Sequence, residues 1–448
     1  MTRTFAVRFA IASLVATPLL AQSADRAVFV SNNGNLEGSV SAFRVTGADQ
    51  LQLVNRVVTG SRPNTTVDCP GCNAYEISLS PNGRWLASSH PAGNLDGVTI
   101  FEVAADGSIA QRAQISLSAN IGGPLDLAWL SDDYLAVTRL DTTPDRVAIY
   151  QWTPPGTLAF VRTYDNGGGL SYFAVSADGA YLFANDSIAD RINIYGNNAD
   201  GTLIPLGFGQ SPGPFPLEIA THPTLPYVYA ACGISGSGSD VLAFGQALDG
   251  SLSLLSGAPF SSGGSSPSNC FVSGDVGTSS EVRYLIVGHG TDATARTMSI
   301  NNGTGALAAT GFLFDVGLQG TLGDVSALDD LVFVTDNSSA TDGLTGIYVF
   351  RIGTNGSLTQ LGPIVSTGGI APRSIAVWSP PVVALLGDMN CDGIVSVGDI
   401  AGFVLALTDP AAYALQFPNC DINNADINQD SVISVGDIAG FVALLTGG

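Results

Sequence analysis

Asp106-Gly107-Ser108-Ile109 is a phrase that returns as Asp200-Gly201-Thr202-Leu203, Asp249-Gly250-Ser251-Leu252 and Asn355-Gly356-Ser357-Leu358. Looser forms extend the series, so that a turn followed by an apolar residue falls at Leu51, Ile109, Leu158, Leu203, Leu252, Leu307 and Leu358. Successive copies stand 45 to 58 residues apart, the length of one four-stranded antiparallel sheet with its turns. Between them, short Val, Ile, Leu, Phe and Tyr runs are cut by Gly, Asn, Asp and Ser, the pattern of many short strands.

Each unit opens on an apolar run, at 75–80, 125–130, 171–176, 217–222, 268–273, 323–328 and 373–378. Seven such units predict an all-β, seven-bladed propeller over residues 25–378, a ring that leaves only short strand edges. The run at 27–31 has no opening strand before it, and the run at 373–378 has no followers. The two ends are therefore expected to share one blade and close the ring.

With the repeated turn and the stretch Ser80-Pro81-Asn82-Gly83-Arg84-Trp85-Leu86-Ala87 in view, residues 26–380 resemble the lactonase-type seven-bladed propellers, which include 6-phosphogluconolactonase. That resemblance implies a lactone-opening activity served by a strand start reading Pro-Arg-His. Here the corresponding words are Pro216-Leu217-Glu218 and Pro372-Arg373-Ser374, so Glu218 stands where a histidine is expected.

The last 61 residues carry a second repeat. Asp388-Met389-Asn390-Cys391-Asp392-Gly393-Ile394-Val395-Ser396-Val397-Gly398-Asp399 returns as Asp426-Ile427-Asn428-Gln429-Asp430-Ser431-Val432-Ile433-Ser434-Val435-Gly436-Asp437. Oxygen side chains at positions one, three, five, nine and twelve suit a loop that wraps a hard cation, with the backbone carbonyl of position seven as a further ligand. The expected Ca2+ ligands are Asp388, Asn390, Asp392, Ile394, Ser396 and Asp399, then Asp426, Asn428, Asp430, Val432, Ser434 and Asp437. Ser431 replaces the turn glycine in the second loop. The segment 388–448 resembles the dockerin type I module, an EF-hand-like pair of calcium loops with short helices, and the resemblance implies a cohesin-like partner. It departs from family members in carrying Val397-Gly398 and Val435-Gly436 where a hydroxyl pair is common. A linker is expected over 379–387.

Residues 1–23 read as an export signal, with Arg3 and Arg8 ahead of an apolar run and small residues at Ala21 and Ser23. The expected location is secreted or at the cell surface, with the periplasm as the alternative, and no transmembrane anchor. Six cysteines suit that compartment and pair by proximity as Cys69 with Cys72, Cys232 with Cys270, and Cys391 with Cys420. The chain has 38 acids against 16 basic residues, all arginine, for a formal charge of −22. Nucleic acid is excluded as a partner, since phosphate neutralisation needs clustered cations. Lysine Schiff-base chemistry is excluded too.

Stacking the seven opening strands gives a column of Glu76, Asp126, Tyr172, Glu218, Asn269, Asp324 and Ser374. Glu76, Asp126, Glu218, Asp324 and Arg373 form the candidate ligand site at the channel mouth, for a glycan or a cation. Glu218, Arg373 and His222 are the candidate catalytic residues. The first expectation for the acids is that they bond neighbouring backbone N–H groups as struts between blades, ahead of a ligand site and of catalysis. The leading functional expectation is a non-catalytic binding or scaffold module docked through its tail. The alternatives are a lactone hydrolase and a purely structural surface component.

Overall fold

The computed structural model describes residues 26–62, 69, 71–91, 97–117, 123–139, 145–167, 172–198, 200–210, 216–233, 240–277, 281–317, 322–338, 345–379, 385–390, 395–417, 420, 422–428 and 432–446. The expected export signal, most of the expected linker, and Cys391, Asp392, Ile394 and Asp430 lie outside them. The chain divides into two compact units at Trp378 and Ser379.

The first unit is a seven-bladed propeller. Blades 1 to 6 open on Ile77–Leu79, Pro124–Trp129, Phe173–Val175, Pro216–Thr221, Pro267–Val272 and Leu322–Leu328, each followed by three antiparallel strands in chain order, and blade 4 adds a fifth, Phe260–Ser261, against its third strand. Blade 7 has the order Pro372–Trp378, Ala27–Asn33, Glu37–Val45, Leu51–Ser61, with Phe29 opposite Ala376 and Val30 opposite Ile375. The two ends of the repeat region thus close one sheet, as the unpaired runs at 27–31 and 373–378 predict.

The second strand of each blade is buried on both faces, as in Trp85–His90 and Leu331–Asp336. Alternation then assigns each side chain to one neighbour. In blade 3, Leu182 and Ala184 pack with Ala136 and Ile149 of blade 2, while Phe183 packs with Val228 and Ala230 of blade 4. The core is thus a circle of apolar layers between blades rather than one central mass.

The repeated Asp-Gly turn joins the third and fourth strands. Gly201 sits there at φ +74°, a left-handed conformation that L residues adopt rarely, and a Cβ on it would come within 2.3 Å of the Tyr134 ring from blade 2. The same fit recurs one blade on, where the Tyr181 hydroxyl also donates to Leu248 O at 2.7 Å. The phrase that defines the repeat is therefore also a blade-to-blade seal.

Cys69 and Cys72 form a disulfide. The expected Cys232–Cys270 bond is not formed, and both residues are buried thiols. Cys232 lies on the strand face with Val228 and Ala230, whereas Cys270 packs with Tyr229 and Ala231 on the other face of that blade. Closeness in sequence had suggested a pair that strand alternation separates. Cys420 is disulfide-bonded.

The second unit places a single 3-10 turn before a helix twice, at Val397–Asp399 with Ile400–Thr408 and at Val435–Asp437 with Ile438–Thr446. A helix at Pro410–Gln416 lies between them. Phe403 and Phe441, equivalent in the two copies, stack with ring centroids 4.0 Å apart. No helix among the described residues is long and apolar enough to cross a membrane.

Candidate functional site

The first strands carry a register slip where they approach the axis. In blade 2, Pro124 pairs with Arg139 but Leu127 with Val137, so one extra residue is fitted into the inner strand. Blades 4, 5, 6 and 7 slip at the same place. Such a bulge takes a backbone N–H out of the ladder and re-aims the side chains beside it.

A side chain on the second strand compensates. Thr335 Oγ1 accepts the N–H of Asp324 at 2.8 Å and donates to Arg373 O of the next blade at 2.7 Å. Ser89 does the same for Glu76 N and Leu125 O, and Ser31 for Ser374 N and Tyr75 O. Thr138 accepts from Asp126 N. In blade 3 the amide of Asn185 takes this place, accepting from Tyr172 N and donating to Leu217 O at 2.9 Å. Blades 4 and 5 carry Ala231 and Gly288 instead. This hydroxyl layer was absent from the sequence reading. Aligning second strands as well as first ones would have shown its column.

The slip turns the predicted column inward. Glu76, Asp126, Glu218 and Asp324 all line one cavity of about 550 Å3, whose walls include Leu127, Trp129 and Phe173. Two of the four acids are struts. Asp126 accepts the N–H of Leu127 at 2.8 Å and that of Phe173 in blade 3 at 2.6 Å. Asp324 accepts from Val325 at 2.7 Å and from Ile375 in blade 7 at 2.8 Å.

Glu76 and Arg373 form the charged pair. Arg373 Nη2 donates to Glu76 Oε1 at 3.2 Å, and its guanidinium lies 3.6 Å over the Tyr75 ring. Burial works against the Arg373 charge, but Glu76, Tyr75 and Tyr172 hold its pKa above the ordinary value. The Tyr75 and Tyr172 hydroxyls bond each other, and burial raises both. Arg373 Nε is buried with no hydrogen-bond partner among the described residues.

Across the axis, Asn269 Nδ2 donates to Glu218 Oε2 at 2.8 Å. Burial, then the charge of Asp324 and Glu76, pushes the Glu218 carboxyl well above the usual range. Burial and Glu76 raise Asp126 in the same direction, and they raise Asp324 to about 8. Burial thus opposes the ionisation of all three of these carboxyls. The four acids of the column therefore divide into one that is ion-paired with Arg373 and three whose charge burial disfavours.

His222 lies elsewhere. It faces a separate cavity of about 230 Å3, its Nδ1 accepts Leu225 N–H at 3.0 Å, and burial lowers its pKa to about 4. It caps a turn and does not join the axial cluster.

In the tail, Asp399 Oδ1 accepts the N–H groups of Met389 and Asn390, and Oδ2 that of Ser396 at 2.7 Å. Asp437 repeats this with Asn428 and Ser434. Both aspartates are fully buried. Position twelve therefore folds each loop back on position three in the same way. Among the described residues no group of three or more His, Cys, Asp or Glu side chains is gathered as a metal cluster.

No protein-family model and no curated relative matches the chain. Solved structures do match the propeller. A periplasmic gluconolactonase of Pseudomonas aeruginosa is 19% identical with a TM-score of 0.57, covering 80% of this chain and 100% of its own. Candidate 6-phosphogluconolactonases of Bacteroides uniformis and Bacteroides fragilis are each 14% identical with TM-scores of 0.60, covering 79% of this chain and 100% and 98% of theirs. At these identities the likeness establishes the fold. The leading expectation of a non-catalytic scaffold is corrected on the names these three neighbours carry, which are lactonase names.

Proposed function

We propose that the propeller is a lactone hydrolase that acts on an uncharged sugar-acid lactone in the axial cavity. The observation that carries this reading is the buried guanidinium of Arg373, with Nε unpartnered among the described residues and Nη2 on Glu76, one of the carboxyls that line the axial cavity. A guanidinium N–H is suited to hold a lactone carbonyl oxygen as charge gathers on it. Carboxyls raised toward neutrality are suited to move the protons. The neighbours' names supply the reaction class.

The lactone should be uncharged because Arg373 is already paired with Glu76, and the carboxyls that line the cavity offer groups that bond hydroxyls rather than a phosphate. The test compares glucono-δ-lactone with 6-phosphogluconolactone, each against its spontaneous opening. Turnover of the neutral lactone, abolished by Arg373→Ala, supports the reading. Preference for the phosphorylated one would reject the uncharged substrate, and turnover of neither would reject the activity.

A second reading concerns the tail and is supported by the matched backbone bonds that Asp399 and Asp437 accept. The donors of the two loops are all oxygen, which suits Ca2+ and does not suit a thiolate- or imidazole-seeking ion. Asp388, Asn390, Asp392, Ile394, Ser396 and Asp399 would hold one ion, and Asp426, Asn428, Asp430, Val432, Ser434 and Asp437 the other. Each ion would fix its loop against the helix that follows. Such a dockerin-like module would attach an exported enzyme to a cohesin-like receptor.

A further inference from the structure

One amide group spans the arc from blade 4 to blade 6. Asn269 Nδ2 donates to Glu218 Oε2 at 2.8 Å and reaches Asp324 Oδ1 at 3.4 Å. The two acids it touches are unlike each other. Asp324 is fixed, because both of its oxygens accept backbone N–H groups, one of them from the next blade. Glu218 makes no such joint: among the described residues its carboxyl accepts from Asn269 alone. Its blade and the next are the two where Ala231 and Gly288 replace the locking hydroxyl. The carboxyl is thus steered by a side chain while the acids around it serve the frame.

Resting on the lactonase reading, we infer that Glu218 is the proton-transfer group of lactone opening and that Asn269 is its positioning residue, with Asp324 as the fixed second anchor of the Asn269 amide. As a carboxylate, Glu218 takes one proton from a water whose oxygen bonds to the carbonyl carbon. The carbonyl electron pair moves to its oxygen, near Arg373. When the pair returns, the ring C–O bond breaks and Glu218 passes the same proton to the ring oxygen. Lactone and water become hydroxy acid, Glu218 is restored, and nothing is oxidised or reduced.

The groups that face Glu218 are Asp324, Glu76, Asp126 and Asn269, with the Cys270 thiol beside its backbone, while Arg373, Tyr75 and Tyr172 gather around Glu76. The acids oppose its ionisation, and the Asn269 donor favours it. Removing that donor must therefore move the ionisation upward in pH.

The experiment uses the full chain as wild type, Asn269→Leu, Asn269→Ser and Glu218→Gln. Two readouts are taken on each: the pH–rate profile with glucono-δ-lactone, and the carboxyl stretch in infrared titration. The Glu218 band is the one missing in Glu218→Gln. In Asn269→Leu it should titrate about one pH unit higher, and kcat at pH 7 should fall about tenfold while KM changes little. Asn269→Ser, which keeps a donor, should lie between. An unmoved band in both Asn269 variants overturns the positioning role, whatever the activity. A moved band without turnover in any form overturns the lactonase reading and the proton-transfer role with it. Full activity in Glu218→Gln overturns the assignment of Glu218 while leaving lactone hydrolysis standing.

Discussion

Arg373 Nη2 donates to Glu76 Oε1 at 3.2 Å, although 297 residues separate them in the chain. Arg373 belongs to the strand that completes blade 7, and Glu76 to the start of blade 1. The candidate site is thus built across the seam where the ring closes, and its charged pair exists only once closure is complete.

Arg373→Met should therefore act on stability as well as on turnover. Removing one partner leaves a buried carboxylate uncompensated, at a cost of about 3 kcal/mol. Urea denaturation of the full chain measures it. Loss of turnover without loss of stability would show that Glu76 finds another partner.

Asp324 makes stability depend on pH. Its folded-state pKa of about 8 lies above the ordinary 3.8, so the unfolded chain releases this proton more readily. The contribution is full below pH 4 and is lost as pH rises toward 8, with a slope approaching about 1.4 kcal/mol per pH unit inside that window. Asp324→Asn, which still accepts one N–H, should flatten the profile over that range. Thermal unfolding from pH 4 to 9 reads the difference.

Thr335→Val should cost about 2 kcal/mol, because Asp324 N–H and Arg373 O both lose their partner in a dry place. Serine at 335 should recover most of it. A neutral Thr335→Val would mean that the bulged N–H is satisfied some other way.

Calcium titration of the full chain should find two sites in calorimetry, the first loop tighter because Ser431 replaces the turn glycine in the second. Asp399→Ala should weaken the first site at least tenfold, by analogy with the loss of a charged ligand. Heat from a single site, or from none, would reject the paired-loop reading.

Strand positions and ring closure were legible because both follow from local pattern: apolar runs, turns and an unmatched strand at each end. The column from Glu76 to Ser374 was legible for the same reason, since equivalent places in equivalent strands must converge on one axis. Registers were not. The slip that brings Glu218 opposite Ala231 depends on how two strands pair, and nothing in either strand alone announces it. Cys232 and Cys270 failed on the same point, being near in sequence but turned to opposite faces. The charge of the ring also escaped prediction, because burial sets whether Asp126, Glu218 and Asp324 ionise, and composition counts them only as acids.

Pairing of Ala27–Asn33 with Pro372–Trp378 has a consequence for how the molecule is made. The first described strand of the propeller to be synthesised must wait for almost the whole ring before its partner arrives. Until then its apolar edge, from Val28 to Val30, is an open invitation to other chains. Biosynthesis rate, and any holding protein that shields this edge, should therefore govern yield more than the final stability does.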